Sequence, residues 1–148
     1  MTAVLHASAL ADHQLALALP LVQITWPELD MAAWQDFARS ICGEGGGMLV
    51  LKDDDYICGV LAYRRQAGLS GAVLSVPLFT VVDLANRPHI AKVLVDAVER
   101  LAKQLGCLSV HLEFNPRQSR LVSRLQSLGT PAELFLFRKG WENAAVQP

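Results

Sequence analysis

Between residues 90 and 114 the apolar period of this chain switches from helical to extended within a few residues. Ile90, Val93, Leu94, Ala97, Val98, Leu101 and Leu105 recur at i, i+3, i+4 and i+7 and make one buried stripe of a helix. Pro88 suits the first helical position, which needs no intrahelical donor, and Gly106 supplies the stop. Leu108, Val110, Leu112 and Phe114 then alternate with Ser109, His111 and Glu113, as a strand with one apolar and one polar face requires. A helix that must bury a stripe, followed directly by a strand that must bury a face, points to helices packed on a sheet.

The rest of the chain supplies more of both elements. A short strand around Val4, His6 and Ser8 precedes Asp12, a suitable N-cap for a helix at about 13–20. Pro27 opens a turn or a new helix, and Met31, Trp34, Phe37 and Ile41 form one helical face ending near Gly43. The glycine-dense stretch Gly43 to Gly47 leads into an apolar strand, whereas a phosphate-cradling loop should open onto a helix, so it predicts a flexible loop without bound phosphate.

Met48–Leu51 and Tyr56–Tyr63 flank an Asp-rich connection and predict a β-hairpin, in which the aspartates serve the turn and hold no metal. Ala72–Val82 is a long third strand in which Pro77, lacking an N–H, marks a bulge, an edge or a bend. A helix with Leu121, Leu125 and Leu128 runs to Gly129, and Leu134–Phe137 is a last strand. The order is β-α-α-β-β-β-α-β-α-β. It predicts a single α+β domain over residues 1–140, with a mixed, mostly antiparallel sheet of about six strands, helices on both faces, and a tail at 141–148.

Composition narrows the function classes. With 52% apolar and 18% charged residues the chain can bury a large core, and its formal charge of −1 provides no field for a phosphate backbone, so nucleic acid is not the expected partner. The longest apolar run, Leu15–Val22, is interrupted by Pro20 and is far short of the roughly 20 residues of a membrane span. No Lys or Arg precedes Arg39, so neither a signal nor a transit peptide is expected. Cys42, Cys58 and Cys107 have no metal-ligand or C-x-x-C spacing and behave as small hydrophobes of a reducing compartment. Together these predict a cytoplasmic protein.

The order of elements and several local anchors resemble the GNAT superfamily of acyl-CoA N-acyltransferases over nearly the whole chain. Ala9-Leu10-Ala11-Asp12 resembles the family's strand-to-helix opening, and Asp55-Tyr56-Ile57-Cys58-Gly59 resembles its hairpin. Val81-Val82-Asp83 and the following Leu84 to Ala91 stand where the family has its cofactor strand and pyrophosphate loop, and Leu128-Gly129 stands where its last helix ends. The resemblance implies acetyl transfer from acetyl-CoA to a primary amine of a small molecule or peptide. The alternative is a non-catalytic module that binds acyl-CoA or a protein partner.

It also implies a set of site residues. Phe79, Thr80 and Val81 would line the pantetheine arm, while Arg87, His89, Ile90, Ala91 and Lys92 would cradle the pyrophosphate at a helix N-terminus. Glu113, His111 and Asp83, in that order, are the candidate bases that keep the attacking amine neutral. Trp26, Glu28, Asp30 and Tyr63 would wall the acceptor pocket, and the acids Asp12, Glu28, Asp30 and Asp36 would favour a cationic amine. Two positions depart from the family pattern: His89 replaces a glycine of the loop, and Leu125 stands where many members have a proton-donating tyrosine. The closing segment after Gly129 has one strand where the family often has two, so a homodimer that completes the sheet is expected.

Overall fold

A computed structural model describes residues 5–53, 56–82, 89–130 and 135–137. The elements are β1 (Leu5–Ala9), α1 (Asp12–Thr25), α2 (Met31–Gly43), β2 (Gly47–Asp53), β3 (Tyr56–Ala67), β4 (Ala72–Val81), α3 (His89–Gln104), β5 (Ser109–Phe114), α4 (Ser119–Ser127) and β6 (Phe135–Phe137). A single 3-10 turn, Pro116–Gln118, joins β5 to α4.

The strands form one mixed sheet in the order β1-β2-β3-β4-β5-β6, five of them five to twelve residues long and the sixth only three. Pairing is antiparallel from β1 to β4 and parallel for β4 with β5 and β5 with β6. The α+β class and the helices on both faces are as the sequence implies.

Alternation along the central strands builds two cores. Leu51, Leu61, Leu74, Val76 and Phe79 turn to one face and meet Ile90, Leu94 and Val98 of α3 and Leu121 and Leu125 of α4. Val50, Val60, Ala62 and Leu78 turn to the other and meet α1, Trp26 and the Trp34, Phe37 and Ile41 stripe of α2. Each fully buried large apolar side chain contributes about 1.5–3 kcal/mol relative to exposure. In α3 the inward face is turned slightly from the expected stripe: Ala91, Val95 and Ala102 are buried while Leu105 is 36% exposed.

Three local expectations need correction. Asp12 is not the cap of α1: Ala11 is, and the buried Gln14 accepts from the Ala11 N–H at 2.9 Å, leaving Asp12 in the first turn. There its charge still suits the helix dipole. The helix also runs through Pro20 to Thr25. Pro20 and Ala16, whose carbonyl loses its donor, lie on the exposed face, where water can replace the bond, while Ala18, Leu19, Leu21 and Val22 anchor the other face.

The Gly43 to Gly47 stretch is built for close approach and not for looseness. Gly45 adopts φ 77°, and a Cβ on Gly46 would lie 2.1 Å from the Tyr63 carbonyl. Only glycine lets the chain leave α2 and enter β2 this close to β3.

Candidate functional site

Pro77 acts through a bulge, one of the alternatives its missing N–H allows. Ala62 pairs with Leu78 but Arg64 with Ser75, so β4 spends one residue more than β3 around Val76 and Pro77. The bulge flips the side-chain parity of β4: Leu74 and Val76 face the α3 side before it, and Phe79 faces that side after it.

It also ends the partnership with β5. The parallel ladder runs from Val73–Ser109 to Val76–Leu112 and stops, and β5 goes on to pair with β6 through Phe114. Past the bulge, β4 therefore keeps β3 on one side and, among the described residues, has no strand on the other.

A cleft of about 500 Å³ opens at this divergence. It is lined by Thr80, Val81 and Val82 of β4 and the residue after it, by Ile24 and Thr25 at the end of α1, and by Arg117 to Leu121 at the start of α4. The N–H of Val82 donates to Cys58 on β3. By strand alternation the main-chain groups of Phe79 and Val81 then face the cleft.

The inner end of the cleft is closed by hydrogen bonds between elements distant in sequence. Gln118 Nε2 donates to the Phe79 carbonyl at 2.6 Å, and Gln118 Oε1 accepts from the Asn115 N–H at 3.1 Å. Asn115 Nδ2 donates to the Thr25 carbonyl at 3.0 Å, and the hydroxyls of Thr25 and Thr80 lie 3.3 Å apart. All four side chains belong to buried residues. The local sequence explains the turn: Asn115 caps it by accepting from the Arg117 N–H, and Pro116 takes the first helical position.

The cleft carries positive charge. Arg117 and Arg120 are the charged residues of its described lining, both exposed and neither ion-paired among the described residues. At α3, Ile90 and Ala91 are buried in the core, so their side chains cannot reach a phosphate, and His89 is exposed at the first turn. Lys92 is engaged by Asp96 at 2.5 Å; that hydrogen bond outweighs the opposing effect of burial and, with the negative charges of Asp96 and Glu99, pushes the lysine above its ordinary pKa. Arg87 and Asp83 lie outside the described residues.

Of the three residues expected along a pantetheine arm, two line the cleft through their side chains. Thr80 and Val81 line the cleft, whereas the Phe79 ring packs edge-on against Phe114 at 5.6 Å in the α3 core, and only its main-chain groups face the cleft. Glu113 and His111 sit on β5 opposite the core-facing Val110, Leu112 and Phe114. His111 lies opposite Ser75 within the paired part of the ladder, while Glu113 lies one residue beyond its end and is buried. Neither belongs to the described lining of the cleft.

The expected acceptor wall is not assembled. Trp26 is buried in the α1–α2 core, whereas Tyr63 packs against the α3 core on the opposite face of the sheet. Asp30 caps α2 by accepting from the Ala33 N–H at 2.8 Å, Asp36 pairs with Arg39, and Glu28 is exposed. None of the N-terminal acids belongs to the described lining of the cleft. Leu125 is completely buried among α3 and α4 side chains.

Sequence reasoning missed Thr25, Asn115, Gln118, Arg117 and Arg120. The Asn-Pro step at 115–116 was the available signal, since it marks a turn directly after a strand.

No family model and no curated protein sequence matches this chain. Solved structures do. The aminoglycoside N-acetyltransferase AAC(6')-Iy in complex with CoA superposes with a TM-score of 0.75 at 17% identity, covering 88% of this chain and 90% of that one. The aminoglycoside 6'-N-acetyltransferase AAC(6')-Ih of Acinetobacter baumannii gives 0.71 at 20% identity over 93% and 99%. A GNAT family acetyltransferase of Staphylococcus aureus gives 0.63 at 12% identity over 78% and 90%. With β4 bulged at Pro77 and parted from β5 beyond Val76, and with these structures superposing over most of its length, the chain has the GNAT fold.

Proposed function

We propose that this protein is an N-acetyltransferase that moves an acetyl group from acetyl-CoA to a primary amine of a small molecule or peptide. The observation that carries this reading is the divergence of β4 from β5, which leaves a main-chain edge at Val81 beside a cleft with cationic lining. An extended arm bearing amides pairs with such an edge as a further strand would. Its phosphates lie toward the end of β4 that leads to α3, where the first amides of that helix supply positive potential, and Arg117 and Arg120 give the cleft its cationic lining.

In the transfer, the neutral amine attacks the thioester carbonyl carbon, the carbon–sulfur bond breaks, and the thiolate leaves. An N–H on the free edge of β4, that of Val81, stabilises the oxyanion. Glu113, at the divergence, is the first candidate to take the amine proton; His111 is second, being set back in the paired ladder, and Asp83 follows directly after Val82. Buried Leu125 offers no proton, so the thiolate is protonated by water. The two aminoglycoside acetyltransferases of the same fold support a small-molecule acceptor. Free thiols at Cys42, Cys58 and Cys107 suit a cytoplasmic setting, and a homodimer is part of the same proposal, to be read by gel filtration.

One observation favours a second reading, an acyl-CoA-binding module without catalysis: the position of the family's proton donor is an apolar core residue, Leu125. The two readings separate in a single experiment. Saturating CoA raises the melting temperature under both, by several degrees at a hundredfold excess over Kd. Only the enzyme also releases free thiol from acetyl-CoA when amines are added. Absence of a thermal shift at millimolar CoA rejects both.

A further inference from the structure

We propose that Gln118 is the residue that limits the acyl group of the donor to a short one. This rests on the acyl-CoA reading of the cleft. If the phosphates sit toward the α3 end of β4, the arm runs back along Val82, Val81 and Thr80, and its thioester end meets whatever closes the cleft beyond Thr80. That closure is made of protein. The Phe79 carbonyl, the next cleft-facing group on the edge, is already taken by Gln118 Nε2 at 2.6 Å.

Gln118 is held in place from behind. Its Oε1 accepts from the Asn115 N–H, Asn115 Nδ2 is fixed to the Thr25 carbonyl, and the Thr25 and Thr80 hydroxyls meet alongside. The floor is therefore both rigid and polar, with its donors and acceptors satisfied by one another. An acetyl group ends before this floor. A chain several methylenes longer has to push Gln118 aside, leaving the Phe79 carbonyl and the Asn115 N–H buried without partners. Each buried group so orphaned weakens binding by roughly tenfold or more. The polar floor also returns nothing for the added methylenes, which gain affinity only against apolar walls.

The test measures binding of CoA, acetyl-CoA, butyryl-CoA and hexanoyl-CoA to the full chain by calorimetry, so no acceptor is needed. The wild-type protein is expected to bind CoA and acetyl-CoA alike and hexanoyl-CoA at least tenfold more weakly. Gln118→Ala, which opens the floor, brings hexanoyl-CoA to within about threefold of acetyl-CoA, while Gln118→Met, which keeps the volume but forfeits both hydrogen bonds and the polar surface, loses part of the discrimination. Equal wild-type affinity for acetyl-CoA and hexanoyl-CoA overturns the proposal even if Gln118→Ala does not fold. So does discrimination that persists unchanged in a folded Gln118→Ala protein. Binding of CoA without chain-length discrimination removes this inference and leaves the acyl-CoA reading standing, whereas failure to bind any of the four removes both.

Discussion

The side-chain amide of Asn115 donates to the main-chain carbonyl of Thr25 at 3.0 Å, tying the turn after β5 to the last residue of α1 across 90 positions of sequence. The same side chain accepts from the Arg117 N–H at 2.7 Å and so caps the turn that carries Gln118. Asn115→Ala removes both bonds and strands the Thr25 carbonyl in a buried site, at a cost of about 2 kcal/mol. Asn115→Asp keeps the cap but sets a carboxylate against that carbonyl, so at neutral pH it is at least as destabilising. Urea denaturation of the three proteins measures this, and an Asn115→Ala protein as stable as the parent would show that the bond contributes nothing.

Gly43 and Gly46, three residues apart, should respond to alanine with opposite signs. Gly43 is the last residue of α2, and its added Cβ meets nothing within 4 Å, so Gly43→Ala stabilises by about 0.5–1 kcal/mol through a stiffer unfolded chain. At Gly46 the same methyl group lies 2.1 Å from the Tyr63 carbonyl and 3.0 Å from that of Ile41, both main-chain atoms that cannot swing away. Gly46→Ala must part β2 from β3 and costs about 3 kcal/mol. Thermal melts of the pair distinguish this from a flexible loop, in which both substitutions would be nearly neutral.

Arg64 is 2% exposed, and its Nη1 meets Glu44 Oε2 at 3.0 Å just beyond the end of α2; the Glu44 side chain is 40% exposed. Removing one partner of a fully buried pair costs about 3–5 kcal/mol, and the exposure of Glu44 reduces this to about 1–2 kcal/mol for Glu44→Gln. Arg64→Met removes the charge together with its need for a partner, including Arg64 Nε, which has none among the described residues. It is expected to lie within about 1 kcal/mol of the parent. Denaturation midpoints that rank Arg64→Met below Glu44→Gln would contradict this.

The parts of the fold written in local pattern were legible in the sequence. Helical spacing marked Trp34, Phe37 and Ile41 as one buried face, and the missing N–H of Pro77 marked the point where β4 departs from regular pairing. What alternation cannot show is which face is which in a strand apolar on both sides. In β3, Val60 and Ala62 face α1 and α2 while Leu61 packs on α3, and Tyr63 follows Leu61 away from Trp26. The cleft floor was hidden for a different reason. Thr25, Thr80, Asn115 and Gln118 are ordinary polar residues in isolation, and only the tertiary fold brings them together.

Lys92 illustrates how a charge that sequence position assigns to a phosphate can be spent elsewhere. Its hydrogen bond to Asp96 one turn along α3 raises its pKa above the ordinary 10.5, so the bond's contribution is fully present below that value. It is lost as pH rises through the higher folded-state value, and stability attributable to the pair is therefore flat from pH 6 to 9. Both side chains are more than a third exposed, at 37% and 43%, so the pair contributes at most about 0.5 kcal/mol, and Lys92→Met barely shifts the melting temperature. With its charge offset by Asp96, Lys92→Met should weaken CoA binding by no more than about twofold. Arg117→Ala, which removes from the cleft a guanidinium without an ion-pair partner among the described residues, should weaken it by about fivefold or more, and more at low salt than at high. Calorimetric titration of both variants at two ionic strengths decides the order; a larger loss from Lys92→Met would show that its charge serves the phosphates in spite of Asp96.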